Sequence, residues 1–164
     1  MQKITEKDTL IQKYKLSPHM EGGYYIRHYE SSETIQRSNS TECKAGSAIY
    51  YLLEKNDISK FHKISSDELW HFYSGGLLEL NIITQDNKYI VKYLGNSLIY
   101  NDASFCVTVE KGSIFSAKVI KGEYVFAGCS LHPEFIINDF KIYDIEELEK
   151  LFPQFKDKIN NFLK

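Results

Sequence analysis

From Gly46 onward, short apolar runs alternate with polar turn clusters at an even pace. The runs read SAIYYLL, ISKFHKI, DELWHFY, LLELNIIT, KYIVKYL, FCVTV, SIFSAKV, EYVFAGCS and FKIY, and they are punctuated by KND, SSD, SGG, QDNK, LGN, EKG, KGE and HPE. Short strands at that spacing predict an all-β sandwich or barrel. No run is followed by a helix of crossover length, which disfavours a parallel α/β sheet. An earlier strand is expected at YYIRHYE, after Pro18 and the Gly22, Gly23 pair break the chain, and SSETIQRSNSTE reads as a polar loop. Both ends are expected to be helical. Thr5 with Asp8 resembles a helix start, and Leu10, Ile11 and Tyr14 then share one face up to about Lys15. Asp144 with Glu147 can form a capping box, and Pro153 interrupts before an amphipathic segment reaching Phe162. The expected organisation is one domain over residues 1–164 with helical ends at about 4–15 and 144–163.

Composition sharpens this picture. A chain of 164 residues is long enough to hide roughly 70% of its unfolded surface, and twelve Tyr and ten Phe favour a β-rich core. The net charge of −2 comes from 20 basic and 22 acidic residues with no basic block longer than a pair, so no phosphate-backbone footprint is present and nucleic acid is not an expected partner. The N-terminal stretch MQKITEKDTLIQKYKL is charged throughout, and no segment approaches bilayer length. No membrane partner and a cytoplasmic location are expected. Cys43, Cys106 and Cys129 lie outside any CxxC pattern, which favours free, buried thiols over a disulfide framework or a thiolate zinc site.

Candidate chemistry concentrates in SKFHKISSDELWHFYSGG, residues 59–76. Strand alternation puts His62 and Ile64 on one face of the first run and groups Glu68, Trp70 and Phe72 on one face of the second, with His71 opposite. His62 and Glu68 can then face one interior, in a pocket floored by Trp70 and Phe72. A second constellation is PHMEGGYY, where the glycines permit a tight turn that could bring His19 and Glu21 to the same mouth. Arg27 could meet an anionic ligand or pair with Glu21. Pro133 of HPEF is expected to fix a bend that packs Phe135 and Phe140 into the core.

The spacing of His62, Ile64, Glu68 and Gly75 resembles the first cupin motif, HxH followed by Glu and Gly, with Ile64 in place of the second His. LSPHMEGGYYIRHYESS, SAIYYLL, FHKISSDELWHFYSGGLLEL, the YLG segment and FAGCSLHPEFIINDFKI resemble in order the cupin type-five family of unknown function, over about residues 16–143. The resemblance implies a double-stranded β-helix, the cupin jelly roll, close to the dehydrorhamnose-type sugar epimerases. It also implies a homodimer with a small-molecule pocket in the barrel mouth, and it implies no established reaction. Where the family carries a stretch like QxVVPAGxWQAA, this chain reads CVTVEKGSIFSAK, so Phe115 falls where a metal-binding cupin would carry its last His.

Three chemistries stay open for this pocket. A metal cupin uses imidazole and carboxylate donors, of which only His62 and Glu68 are in place unless His19, His28 or His71 completes the set. No cofactor is therefore assigned. An epimerase or isomerase needs a base and an acid, and His62 with Glu68 could supply the first while Tyr50 or Tyr51 supplies the second. A binding protein without turnover would use the same His62 and Glu68, with Glu21, Arg27, Tyr50, Trp70, Phe72 and Phe115 around a carbohydrate or nucleotide derivative. The pair reads equally as a hydrogen-bonded structural element. No phosphate-loop spacing or GxGxxG opens a helix, and neither Cys106 nor Cys129 has a His in a local nucleophile pattern.

Overall fold

The computed structural model describes residues 4–37 and 41–164; residues 38–40, within the expected polar loop, lie outside the described residues. Its elements are α1 (Glu6–Tyr14), β1 (Ser17–Pro18), β2 (Tyr24–Glu30), β3 (Thr34–Gln36), β4 (Glu42–Lys44), β5 (Ser47–Glu54), β6 (Ile58–Lys63), β7 (Asp67–Ile83), β8 (Tyr89–Leu94), β9 (Ala103–Ser104), β10 (Cys106–Val109), β11 (Ile114–His132), β12 (Lys141–Ile142), α2 (Ile145–Leu151) and α3 (Lys156–Leu163). The fold is the expected all-β jelly roll with short helices near its ends.

Two long bent strands, β7 and β11, belong to both walls of the barrel. The first part of β11 pairs with β6 and with the second part of β7, while its second part pairs with β5 and with the first part of β7. β12 and β8 extend the first wall, and β10 and β2 the second. This architecture corrects two expected turns: SGG and KGE are bends within continuous strands. Glycine explains both. Gly75 has φ +103° and Gly122 φ +82°, and a Cβ on Gly76 would stand 1.7 Å from the Lys121 carbonyl oxygen. The strands cross backbone to backbone there, which only glycine permits.

Inward residues from both walls form one core that includes Leu53, Ile64, Trp70, Leu80, Phe115, Ala117, Val125 and Leu131. The helices cover the outer faces. Leu10, Ile11 and Tyr14 of α1 pack with Leu52, Tyr124 and Phe126, while Leu148, Ile159 and Phe162 close over Phe61, Ile83 and Ile114. Thr5 and Asp8 form the expected capping box. The expected capping box does not form at α2: Asp144 makes no side-chain cap, and Glu147 accepts from Lys141 Nζ at 2.5 Å. Within the expected polar loop β3 forms a strand that pairs with β4, Ile35 opposite Cys43. Cys43 and Cys129 are buried as expected, but Cys106 is exposed. It pairs with His71 on β10, the short strand added at the side of β7.

Candidate functional site

The turn at residues 19–23 sets the first functional group. Gly22 and Gly23 both have positive φ, and a Cβ on either would meet a backbone carbonyl, Ile58 O at 2.4 Å or Leu52 O at 2.5 Å. The turn thus wedges between β5 and β6, and Tyr51 locks it by donating to the Gly22 carbonyl at 2.7 Å. Glu21, only 8% exposed, is carried inside. Its Oε2 accepts from Ser59 Oγ at 2.5 Å and lies 3.1 Å from Nδ1 of His62.

His62 is 1% exposed, and its Nδ1 also lies 2.7 Å from the Lys60 carbonyl oxygen. Both neighbours of Nδ1 are acceptors, so that nitrogen carries a proton, and the tautomer this selects has Nε2 as its acceptor. His19 completes the turn. Its Nδ1 accepts the Glu21 backbone N–H at 3.3 Å, and burial lowers its pKa against the opposing pull of Glu21, which favours that neutral, accepting form.

Glu68 and Trp70 come from the other wall, two residues apart on β7 and therefore on one face. Glu68 is 5% exposed and is hydrogen-bonded to the Cys129 thiol, while its Oε2 has no partner. Burial and then the charge of Glu21 push its pKa up to about 8. Trp70 is 2% exposed and its Nε1 also has no partner. The indole is fixed edge-on by Tyr51 at 5.4 Å and Phe115 at 6.5 Å between ring centroids. Phe115 pairs in register with His62, their rings 4.1 Å apart, and through its contact with Trp70 it links the two walls.

A segment over the mouth completes the site. Phe140 lies 5.6 Å from the His62 ring and 5.5 Å from Phe135, and both phenylalanines pack against the barrel core as expected. Arg37 holds this segment. Its guanidinium pairs with Asp139 and donates to the Glu134 carbonyl oxygen at 3.3 Å and to Ser66 Oγ at 3.0 Å.

The structure therefore brings His62, Glu68, Glu21, Trp70 and Phe115 together, with Phe72 packed against the same core. Among the described residues the carboxylate partner of His62 is Glu21 and not Glu68. Arg27 does not pair with Glu21; it stands opposite Ile49 and its guanidinium donates to Glu30 at 2.9 Å. Tyr50 is outside the site, stacked on His28 at 4.1 Å and packed near Tyr14 on the outer face. Its neighbour Tyr51 is the inward tyrosine, and alternation with the apolar Leu53 carries that signal. Ser59 and Cys129 were missed, since strict alternation groups Ser59 with Phe61 and places it away from His62.

These residues do not fit a mononuclear metal centre. Ile64 and Phe115 offer hydrocarbon where donors are needed, and among the described residues no three His, Cys, Asp or Glu side chains gather to share an ion.

A glycine-bent jelly roll with an inward His and Glu on successive strands of its facing walls defines a cupin. The chain belongs to the family described as Cupin superfamily (DUF985), whose model matches residues 8–143. It is similar over nearly its whole length to a hypothetical protein from Leishmania major, with 26% identity, TM-score 0.89, and coverage of 96% of this chain and 98% of that one. A Shewanella oneidensis protein gives 29% identity and TM-score 0.85, covering 95% and 96%. Oxalate decarboxylase from Bacillus subtilis is similar in fold alone, at 14% identity and TM-score 0.56 over 88% of this chain and 36% of that one. No curated protein matches the chain.

Proposed function

We propose that this cupin binds a small polar molecule, a carbohydrate or nucleotide derivative, between the two walls of its barrel. The observation that carries the reading is the pair of buried polar atoms without partners, Glu68 Oε2 and Trp70 Nε1, on one face of β7. Buried polar groups in folded proteins are nearly always hydrogen-bonded, and a lone buried one costs about 1–3 kcal/mol. One acceptor and one donor supplied by a ligand would satisfy both. Trp70, Phe115 and Phe72 would then offer the apolar faces on which sugar or base rings stack. The reading includes a cytoplasmic homodimer, supported by the family resemblance; no helix among the described residues is long and apolar enough to cross a membrane.

A second reading, an epimerase or isomerase, is favoured by the contrast between the two acidic residues. Glu21 orients His62 at Nδ1, and burial raises the Glu68 pKa to about 8. A base and an acid on facing walls are what proton removal and return require. A thermal-shift screen with sugars, sugar nucleotides and purines tests the first reading, since a ligand of the native state raises apparent stability. Incorporation of solvent deuterium into the stabilising compound supports the second, and stabilisation without incorporation counts against it.

A further inference from the structure

The barrel site is acidic and aromatic, and this combination narrows its ligand. Glu21 and Glu68 are both buried there, and the rings of Tyr51, Trp70, Phe115 and Phe140 surround them. The charged and titratable groups acting on Glu68, Tyr51 and Cys129 are these two acids and one another; among the described residues, no Lys or Arg is one of them. His62 and His19, from β6 and the 19–23 turn, face Glu21. Arg27 is engaged by Glu30, and Lys92, which shares the inward face of β8 with Ile90 and Leu94, donates to the Thr108 carbonyl at 2.7 Å.

An anion placed beside Glu68 would meet Glu21, and the Arg37 guanidinium over the mouth is already paired with Asp139. A cation meets a carboxyl oxygen that has no partner and aromatic faces that attract positive charge. Resting on the reading of the barrel as the binding site, we propose that its ligand is an organic ammonium carrying neighbouring oxygen, as in an amino sugar: the ammonium donates to Glu68 Oε2 and an oxygen accepts from Trp70 Nε1. This narrows the carbohydrate or nucleotide class to members without phosphate next to Glu68. Burial keeps Glu68 largely protonated when alone, and an adjacent ammonium favours its ionised form.

Calorimetric titration of the intact protein at neutral pH with glucosamine, glucose and glucose 6-phosphate tests this. Glucosamine is expected to bind about tenfold more tightly than glucose, with glucose 6-phosphate weakest. Glu68→Gln should bring glucosamine and glucose within about twofold of each other, while Trp70→Phe weakens both and keeps the preference. Equal or tighter binding of glucose or glucose 6-phosphate by the wild type overturns the charge inference and leaves the barrel as a binding site. No binding by any of the three overturns the inference, and the thermal-shift screen then decides the barrel reading separately. The wild-type comparison stands even if a variant fails to fold.

Discussion

Glu21 Oε2 lies 3.1 Å from Nδ1 of His62, so the buried imidazole is oriented from the glycine turn and not by the Glu68 carboxyl two strand positions before Trp70. The same oxygen accepts from Ser59. Glu21→Gln should therefore destabilise the fold by about 1–3 kcal/mol, the usual cost of breaking a buried hydrogen-bonded set. Glu30→Gln, at the exposed pair with Arg27, should cost under about 1 kcal/mol. Urea unfolding of both variants makes the comparison, and equal small losses would mean that Glu21 does not hold the turn.

Glu68 should make stability fall as pH rises. Its folded pKa is raised to about 8, above its ordinary value of 4.5, so between those limits the native state holds a proton that the unfolded chain has released. The favourable contribution is complete below about pH 4.5 and is lost as pH passes through about 8. The expected slope is at most about 1.4 kcal/mol per pH unit. Glu68→Gln should flatten it, and an unchanged wild-type slope in that variant would show that another group sets the dependence.

At the crossing of β7 and β11, Gly76→Ala should be severe. Its Cβ would stand 1.7 Å from the Lys121 carbonyl and cannot fit without parting the two central strands. A loss above about 3 kcal/mol, or failure to fold, is expected. Chemical unfolding reads it; a loss below about 1 kcal/mol would mean that the strands do not cross there.

Arg37→Ala should loosen the segment over the mouth and little else. It removes contacts to Asp139, Ser66 and the Glu134 carbonyl at once. Amides of Phe135, Asp139 and Phe140 should exchange at least about tenfold faster, while Leu80 and Ile82 in the core keep their protection. Uniform acceleration across the chain would instead indicate global destabilisation.

Much of this architecture is legible in the residues, and the failures have identifiable causes. Alternation alone places His62, Glu68 and Trp70 inside, because a period of two is enforced wherever one strand face is buried. It does not reveal that SGG and KGE continue a strand, since Gly signals a turn and a backbone crossing equally well. Glu21 as the partner of His62 is a long-range contact from an irregular turn, which no local period encodes. Tyr50 and Tyr51 are distinguishable by parity with Leu53, whereas Ser59 joins His62 through a register shift in β6, where Phe115 pairs with His62 but Ala117 with Ser59.

The most direct test of the barrel as a ligand site uses Trp70, the single tryptophan, as its own reporter. Its indole emission should change saturably as a bound metabolite, identified by the thermal-shift screen or by native mass spectrometry of the purified protein, is titrated in. The same compound should lose at least about tenfold in affinity in Glu68→Ala and in Trp70→Phe followed by calorimetry. A ligand that saturates the protein without altering Trp70 emission, and whose affinity survives both substitutions, would contradict the assignment of the barrel interior as the binding site.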